Sequence, residues 1–410
     1  MLITNNYRIY NLQIYFMFYR FFITLLLIIL VSKVVICQNA EFYAPPKKVV
    51  YNVDSLLSIK QTTTNPVFKN MGKAIKGSGF GMKGYWIWDG GVVKGEDGKY
   101  HMFCSRWPDT LLMHPAWMAT SEIIHCIADS LAGPYTFVST VFTARGSQYW
   151  DGRSTFNPQV QKYNGKYYMF YTGSTHPFEE PNKKDFDLYS KWCIVGFKNK
   201  RVGIAVADNV NGPWKRFDKP IIDVEPNTFY SFYTSNPTAV IHKDGSVLVM
   251  FKGRPHVGNN FGNMSLGVAY AKNIFGPYTV LNTKQPIFDE AVFGEQEDPF
   301  MWKDAVGYNA VFKDHIGKFT GERGAGVLIH STDGKKWTVN KDPKAWSKAI
   351  EWNDGTRLRM GQLERPFIYF ENDQPKCFFF STMDGQGGFN NGTYAKIIVI
   401  PFLNNSESKK

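Results

Sequence analysis

The chain has 410 residues, of which 44% are hydrophobic, 16% aromatic and 20% charged. This composition excludes a disordered chain, which carries few aromatic residues, and a long coiled coil, which is rich in alanine, leucine and charged residues. With 33 Phe, 22 Tyr, 36 Gly and 21 Pro, it favours many short strands joined by tight turns.

The charge of the chain is positive, with a formal net charge of +12 at neutral pH. Its basic residues are dispersed, and the longest basic runs are pairs such as Lys183-Lys184. Nucleic-acid binding favours a concentrated basic stripe, so we expect no nucleic-acid partner. A mild preference for anionic substrates is the other interpretation of the surplus charge.

The N-terminus has the pattern of a targeting segment. Arg20 is followed by an apolar run over 21–31, which is shorter than the roughly 20 residues of a membrane span. We therefore expect residues 1–37 to be a secretory signal peptide, the mature protein to be secreted or periplasmic, and no stable membrane span to be present. A lipid anchor on Cys37 is the alternative, disfavoured because Ile36 is bulky where a small residue is expected.

Cysteine spacing gives no metal site, because no Cys-x-x-Cys pair is present. Export permits disulfides. Cys104 and Cys126 lie on neighbouring predicted strands and could pair, and buried free thiols are the alternative.

Two kinds of turn recur along the chain. Asp97-Gly98, Asn164-Gly165 and Asp244-Gly245 each precede an alternating strand-like run, which is a strong hairpin signal. Glycine, proline and an aromatic residue form the second turn, at 133–135, 212–214 and 276–278.

A third element precedes each hairpin and places one polar residue before a proline or glycine. Its copies are Trp88-Asp89-Gly90, Phe156-Asn157-Pro158, Ser235-Asn236-Pro237, Glu297-Asp298-Pro299 and Glu364-Arg365-Pro366. The middle residues lie 68, 79, 62 and 67 positions apart. Five units of this length, each with about four short strands, predict an all-β fold, a single five-bladed β-propeller.

The repeats also set the expected boundaries. Residues 38–80 are expected to form an N-terminal extension that lends a strand to the ring, 81–403 the propeller, and 404–410 a C-terminal tail. A short helix is expected over 344–352. A β-solenoid or a pair of sandwiches would not explain one polar-proline element per unit.

The third element indicates where the chemistry lies. The innermost strand of each propeller blade begins near the central channel, so one polar residue per blade forms a ring around one pocket. Proline is expected to hold the residue before it in an extended conformation. Hydrolysis of a glycosidic bond needs two carboxyl groups, one protonated and one ionised. The ring supplies acidic candidates for both.

With these motifs the chain resembles the five-bladed β-propeller glycoside hydrolases, most of all family 43, whose architecture family 32 invertases share. The resemblance covers about residues 80–402. It implies that Asp89 is the base, or the nucleophile if configuration is retained, and that Glu297 is the general acid. The chain departs from the family pattern at Gly90, where proline is usual, and at Asn236, where the middle blade usually has a pKa-tuning Asp.

Other residues are expected to bind substrate or to tune the acid. They are Trp88, Asn157, Asn236, Asp298, Glu364, Arg365, Arg153, Arg254 and His256. His114, His125 and His256 are alternative proton donors. We expect no cofactor and no catalytic metal, and a structural cation in the central channel remains open.

The sequence thus predicts an exported glycosidase that trims terminal sugars from plant or algal oligosaccharides or polysaccharides. Long loops such as 175–200 and 259–262 would wall an exo-type pocket. A propeller glycoside phosphorylase is one alternative, for which Arg254, His256 and Arg365 would provide an anion-binding cluster. A non-catalytic sugar-binding propeller is the other, favoured by the missing middle-blade Asp.

Overall fold

The computed structural model describes residues 51–386 and 388–403. The predicted signal peptide, including Cys37, and the predicted tail lie outside the described residues. Among the helices of the described ranges, none has both the length and the apolar character that crossing a bilayer requires.

Five antiparallel sheets form the blades of a β-propeller, which confirms the predicted fold. Blade I contains β1 (Tyr85–Lys94), β2 (Tyr100–Pro108), β3 (Glu122–Ala128) and β4 (Thr136–Phe142). Blade II contains β5 (Ser154–Tyr163), β6 (Lys166–Ser174), β7 (Arg201–Ala207) and β8 (Lys215–Arg216). Blade III contains β9 (Tyr233–Ile241), β10 (Val247–Arg254), β13 (Ser265–Ala271) and β14 (Thr279–Val280), with an inserted hairpin of β11 (His256–Val257) and β12 (Asn260–Phe261).

The last two blades complete the ring. Blade IV contains β15 (Gln296–Lys303), β16 (Tyr308–Asp314), β17 (Gly326–Ser331) and β18 (Thr338–Trp346). A two-stranded sheet follows, with β19 (Ala349–Glu351) and β20 (Arg357–Arg359). Blade V contains β21 (Gln362–Glu371), β22 (Gln374–Met383) and β23 (Ala395–Pro401). The inner strands β1, β5, β9, β15 and β21 pack against one another in this order, and β21 also contacts β1.

The segment before β1 runs beside the outermost strand of blade V. Phe80 and Ile397 exchange two backbone hydrogen bonds, of 3.1 and 2.8 Å. Met71 forms a further antiparallel bridge to Phe402. The extension therefore covers the free edge of β23 through isolated bridges rather than through a continuous strand, which protects an edge that would otherwise be open to pairing.

Helices are short and lie between strands or before the first blade. They are α1 (Val53–Thr62), α2 (Pro66–Lys69), α3 (Met113–Thr120), α4 (Lys191–Lys198) and α5 (Glu290–Phe293), with a 3₁₀ turn over Phe389–Asn391. The chain enters α3 from β2 and α4 from β6, so both helices stand at the end of the channel where the inner strands begin. The expected helix over 344–352 is wrong, because β18 and β19 cover this segment and Trp346 pairs with Gly326 of β17.

Each inner strand contains a β-bulge at its polar-proline element. The middle residues have positive φ angles, 64° at Asp89, 56° at Asn157, 52° at Asn236, 57° at Asp298 and 53° at Arg365. The expectation of an extended residue before proline is therefore wrong. Asp and Asn tolerate this left-handed conformation better than most residues, and a bulge turns a side chain to a new direction.

All four cysteines of the described ranges are buried free thiols. Cys104 and Cys126 lie on the neighbouring strands β2 and β3, but Cys104 pairs in register with Ile124 and Cys126 with Met102. Of the two alternatives left open by the sequence, the described residues therefore show buried free thiols rather than a Cys104–Cys126 disulfide. Cys104, Cys126 and Cys377 lie in an apolar cluster that blades I, IV and V share.

Candidate active site

The five bulge residues form a ring of polar side chains around the channel. Arg365 Nε lies 2.5 Å from Asp89 Oδ1, and Arg365 Nη1 donates to Asp298 Oδ1 at 3.0 Å. Asn236 Nδ2 donates to the same Asp298 oxygen at 2.6 Å, and Asn157 Nδ2 donates to Asp89 Oδ1 at 2.9 Å. The structure thus brings together all five residues that the repeats placed in phase.

A second set of residues stands opposite the ring, at matching positions of the second strand in each blade. This set is Ser105, Thr172, Lys252, Lys313 and Ser381. Its hydroxyl members are bonded to the ring: Ser105 Oγ donates to Asp89 Oδ2 at 2.7 Å, and Ser381 Oγ accepts from the Asp89 backbone N–H at 2.7 Å. Each blade is therefore joined to its neighbour by polar contacts at the same level.

Asp89 is the most heavily contacted member of the ring. Its Oδ1 contacts Arg365 and Asn157, and its Oδ2 accepts from Ser105 Oγ and, at 3.1 Å, from the Asn157 backbone N–H. Three hydrogen bonds and the ion pair with Arg365 fix both the position and the orientation of the carboxylate, and Asp89 is only 5% exposed. A carboxylate held in this way is preorganised for a reaction at a fixed point in space.

One position before each ring residue, the side chains divide the site into two halves. Blades I and II supply Trp88 and Phe156, whereas blades III, IV and V supply Ser235, Glu297 and Glu364. Trp88 packs edge-on against Phe389 with ring centres 6.1 Å apart. The site therefore has an aromatic side and an acidic side.

Glu297 is surrounded by nitrogen atoms. Lys252 Nζ lies 2.5 Å from its Oε1, Lys313 Nζ lies 3.2 Å from its Oε2, and His315 Nδ1 lies 3.5 Å from its Oε2. Burial alone would raise the pKa of Glu297, but the two ammonium groups and His315 outweigh it and hold the pKa well below its usual value. Glu297 is therefore ionised in the ligand-free protein.

The pKa of Glu364 is raised, in contrast to that of Glu297, although Lys313 contacts both carboxyl groups. Lys313 Nζ lies 2.7 Å from Glu364 Oε1, and the Glu364 side chain is 4% exposed. Burial raises the pKa of Glu364, and the negative charges of Asp298 and Glu297 add to this effect against the pull of Lys313. Two carboxyl groups in different environments, which push their pKa values apart, are typical of an acid–base site.

The aromatic side of the site continues into α3. Trp117 Nε1 donates to His114 Nδ1 at 3.2 Å, and the His114 ring packs against Phe389. Burial, together with Lys200 and the lysines of the acidic side, lowers the pKa of His114 to about 4 against the opposing effect of Glu297. His114 is thus neutral at neutral pH, which disfavours it as a proton donor.

Other predicted site residues stand farther from the ring. Arg254 pairs with Glu295 at 2.9 Å in the wall of the site. His256 is exposed on the hairpin of β11 and β12, and Arg153 donates to the His176 carbonyl and lies 3.8 Å from Glu180. His125 bonds to His101 at 2.8 Å within the blade I sheet. The structure therefore does not bring His125, His256 or Arg153 to the carboxylates.

Sequence reasoning predicted Arg254 and Arg365 but missed the lysines of the site, Lys200, Lys252 and Lys313, as well as His315. Lys252 and Lys313 each end an apolar strand run, Val247–Phe251 and Ala310–Phe312. A buried charge that follows such a run at equivalent positions of two blades was the available signal.

Below the ring the channel is nearly closed. The prolines of blades II to V and Gly90 line a cavity of about 20 Å³, which is room for about one water molecule. A wider groove of about 1,400 Å³ opens at the far end of the channel, beside residues such as His242 and Trp302. The ring is therefore the floor of the site.

The described residues contain no group of three or more His, Cys, Asp or Glu side chains that could hold a metal ion. Between Asp89 and Asp298 the positive charge is the guanidinium of Arg365. The expectation of a structural cation in the channel stays untested.

Comparisons with known proteins identify the fold. No protein-family model matches the sequence, and no curated protein sequence matches it. Solved structures do match. A family 117 glycoside hydrolase from the marine bacterium Zobellia galactanivorans superposes with a TM-score of 0.57 at 14% identity, over 80% of this chain and 89% of its own. The chain has the propeller fold of glycoside hydrolases.

Two further glycoside hydrolase structures share this fold. One, described only as a glycoside hydrolase, has a TM-score of 0.59 at 13% identity and covers 86% of this chain and 96% of its own. The α-L-arabinofuranosidase PaAbf62A from Podospora anserina, solved with cellotriose, has a TM-score of 0.52 at 12% identity, over 82% and 98%. At such identities the likeness defines the fold and leaves the reaction to be argued from the site.

Proposed function

We propose that this protein is a glycoside hydrolase whose active site is the pocket above the ring. The observation that best supports this is the convergence of Asp89, Glu297 and Glu364 from blades I, IV and V at one end of the channel. Cleavage of a glycosidic bond needs two carboxyl groups in different protonation states. The glycoside hydrolase fold of the structural relatives agrees with this assignment.

In the proposed reaction Asp89 is the base that activates water, or the nucleophile if configuration is retained. Arg365 and three hydrogen-bond donors hold its carboxylate in place. A fixed carboxylate needs little reorganisation as charge develops in the transition state, which favours this role.

Glu297 is the proposed general acid, and it has to gain a proton before it can act. Glu364, whose pKa is raised by burial, is the proposed proton store. A substrate that displaces Lys252 from Glu297 would raise the pKa of Glu297. Lys313 contacts both carboxyl groups, so its charge couples them: when Glu297 gains a proton, the ammonium pairs more strongly with Glu364 and favours loss of the Glu364 proton.

The proposed substrate is the end of a plant or algal oligosaccharide or polysaccharide. A pocket with a closed floor favours a chain end over the middle of a chain. Trp88, Trp117 and Phe389 present rings on one side of the pocket, and sugar faces pack against such surfaces. The name of PaAbf62A, an arabinofuranosidase, agrees with a plant glycan. We also propose that residues 1–37 export the protein.

Sugar release from a panel of plant and algal oligosaccharides tests this proposal. We expect the wild type to release a monosaccharide, and Asp89→Asn and Glu297→Gln to lose about 10²- to 10⁴-fold in rate. Asp129→Asn, at an exposed surface carboxylate, is the matched control and should keep full activity. Release that survives both site variants would contradict the assigned carboxylates.

A phosphorylase is the second candidate, and one observation favours it. Lys252, Lys313 and His315 surround Glu297 with cationic or proton-bearing groups, which an attacking phosphate would need nearby. Release that requires phosphate and yields a glycosyl phosphate would establish this reaction instead of hydrolysis. Ligand binding without any product would favour a non-catalytic propeller.

A further inference from the structure

Lys200 is a lysine buried in the wall of the site. It follows α4, and its side chain is only 1% exposed. Its Nζ lies 3.7 Å from the ring centre of Tyr233, 4.3 Å from that of Phe197 and 5.2 Å from that of Trp117. The ammonium group therefore sits among three aromatic rings that belong to blades I to III and their helices.

The neighbouring cations of this wall have carboxylate partners. Lys252 pairs with Glu297, and Arg254 pairs with Glu295. Among the described residues, no carboxylate lies within ion-pair distance of Lys200. Contacts with aromatic faces compensate a buried ammonium only in part, so a buried lysine in such a place needs a further reason.

Lys200 interacts electrostatically with the charged groups on the acidic side of the site. Burial lowers its pKa well below the usual value, and the charges of Lys252 and Arg254 lower it further, whereas Glu297 and Cys193 raise it. Lys200 also contributes to the lowered pKa of His114 across the pocket. The charge of Lys200 is therefore coupled to Glu297 on the acidic side of the pocket and to His114 on the aromatic side.

We propose that Lys200, together with the adjacent Lys252, forms a subsite for an oxyanion, meaning a carboxylate, sulfate or phosphate group. The proposal rests on the proposed function only where it takes the oxyanion to be part of a glycan or its co-substrate. An anion beside Lys200 supplies the negatively charged partner that Lys200 lacks, and a lysine binds such a group through charge-assisted hydrogen bonds.

Binding at this subsite is coupled to a proton. An anion stabilises the charged form of Lys200, so its arrival raises the pKa of the amine and draws a proton from solvent. The groups that face Lys200 are Lys252 and Arg254 from β10, Glu297 from β15, Cys193 from α4, His114 from α3, and Tyr233. Sulfate keeps its charge between pH 6 and 8, so stronger sulfate binding at pH 6 reports on the protein.

Calorimetric titration tests the subsite directly. Sodium sulfate, sodium phosphate and glucuronate are titrated into the wild type, with glucose as the uncharged comparison. We expect Lys200→Met to weaken sulfate binding by about 10- to 100-fold. Lys198→Met removes the same charge from an exposed position two residues away and should leave sulfate affinity unchanged.

A fold control accompanies these titrations. Methionine matches lysine in length and suits the apolar surroundings, so Lys200→Met should raise the midpoint of urea unfolding relative to the wild type. Higher stability with weaker sulfate binding separates a binding role from damage to the fold. Equal sulfate affinity in the wild type and Lys200→Met, or no sulfate binding by the wild type, would overturn the subsite.

The source of the oxyanion is resolved by turnover. Faster release from uronate- or sulfate-bearing oligosaccharides than from neutral ones, in phosphate-free buffer, identifies an acidic glycan. Release that requires free phosphate identifies phosphate as the co-substrate. Sulfate binding that depends on Lys200 without any turnover supports the subsite while contradicting the proposed hydrolase. Turnover of neutral glycans without oxyanion binding supports the proposed hydrolase and contradicts the subsite.

Discussion

Arg365 of the fifth blade forms an ion pair with Asp89 of the first blade, with Nε 2.5 Å from Oδ1. The same guanidinium contacts Asp298 of the fourth blade at 3.0 Å. One cation thus connects three consecutive blades at the point where the chain closes the ring. Because both carboxylates are buried and the Arg365 side chain is only 11% exposed, each depends on the others to offset the cost of leaving water.

Replacement of this cation should destabilise the propeller. Arg365→Met leaves the buried carboxylates of Asp89 and Asp298 without their cationic partner. We expect a loss of about 3–5 kcal/mol in the free energy of unfolding, measured by urea denaturation. Arg357→Met is the control, since Arg357 is half exposed and pairs with Asp54 and Glu351 at the surface. It should cost less than about 1 kcal/mol. Equal losses in the two variants would show that the ring pairing adds no stability.

Gly90 replaces the proline of the other four elements for a steric reason. A Cβ atom at this position would lie 2.7 Å from Ile397 Cδ1 of β23. We expect Gly90→Ala to lower stability by about 1–3 kcal/mol through overpacking. Ile397→Val removes the methyl group concerned, so the double variant should lose less than the sum of the single variants. If the stability losses of the two single variants simply add up in the double variant, contact with Ile397 is not the reason that position 90 requires glycine.

The sequence contained enough to predict the ring but not the groups around it. Asp89, Asn157 and Asn236 were predictable because one short motif recurs once per blade. In a propeller, residues at equivalent positions of successive blades lie around the same channel. The backbone conformation of these residues was not predicted. A residue before proline locally prefers an extended conformation, but the β-bulge present in all five blades gives these residues positive φ angles instead.

Tertiary pairing explains what the sequence could not reveal. Lys252 and Lys313 are 61 residues apart and meet at Glu297 only because their strands stand in adjacent blades. The segment 344–352 contains good helix formers, yet its pairing with β17 and β20 overrides that propensity. The orientation of Lys200 depends on rings from three blades, which no local pattern encodes.

Glu297 should make stability depend on pH. Its folded-state pKa lies well below the ordinary value of 4.5, so the unfolded chain binds a proton more readily than the folded one. By linkage, this contribution to stability is fully present above pH 4.5 and is lost as the pH falls through the depressed folded value.

Glu297→Gln removes this contribution and takes one carboxylate from Lys252 and Lys313. The variant should therefore be less stable than the wild type at pH 7, and the gap should narrow as the pH falls toward 3. Urea midpoints across this range measure it. Glu179→Gln, at an exposed carboxylate, serves as the control and should differ little from the wild type throughout. A gap that widens in acid would contradict an ionised Glu297.

Lys313 should set the alkaline limit of activity. Its ammonium is one of the two lysine charges that lower the pKa of Glu297, so Lys313→Met raises that pKa. A general acid has to be protonated when the substrate reacts, and activity falls as the pH rises through its pKa. The alkaline limb of the kcat/KM profile should therefore move to higher pH in Lys313→Met, by about one pH unit or more.

The matched control is Lys318→Met, because Lys318 is exposed five residues later in the same chain segment. Its profile should coincide with that of the wild type. An alkaline limb that stays in place in Lys313→Met would mean that Glu297 does not supply the proton. In that case Glu364→Gln, rather than Glu297→Gln, should abolish the limb, because Glu364 is the other carboxyl group that Lys313 contacts.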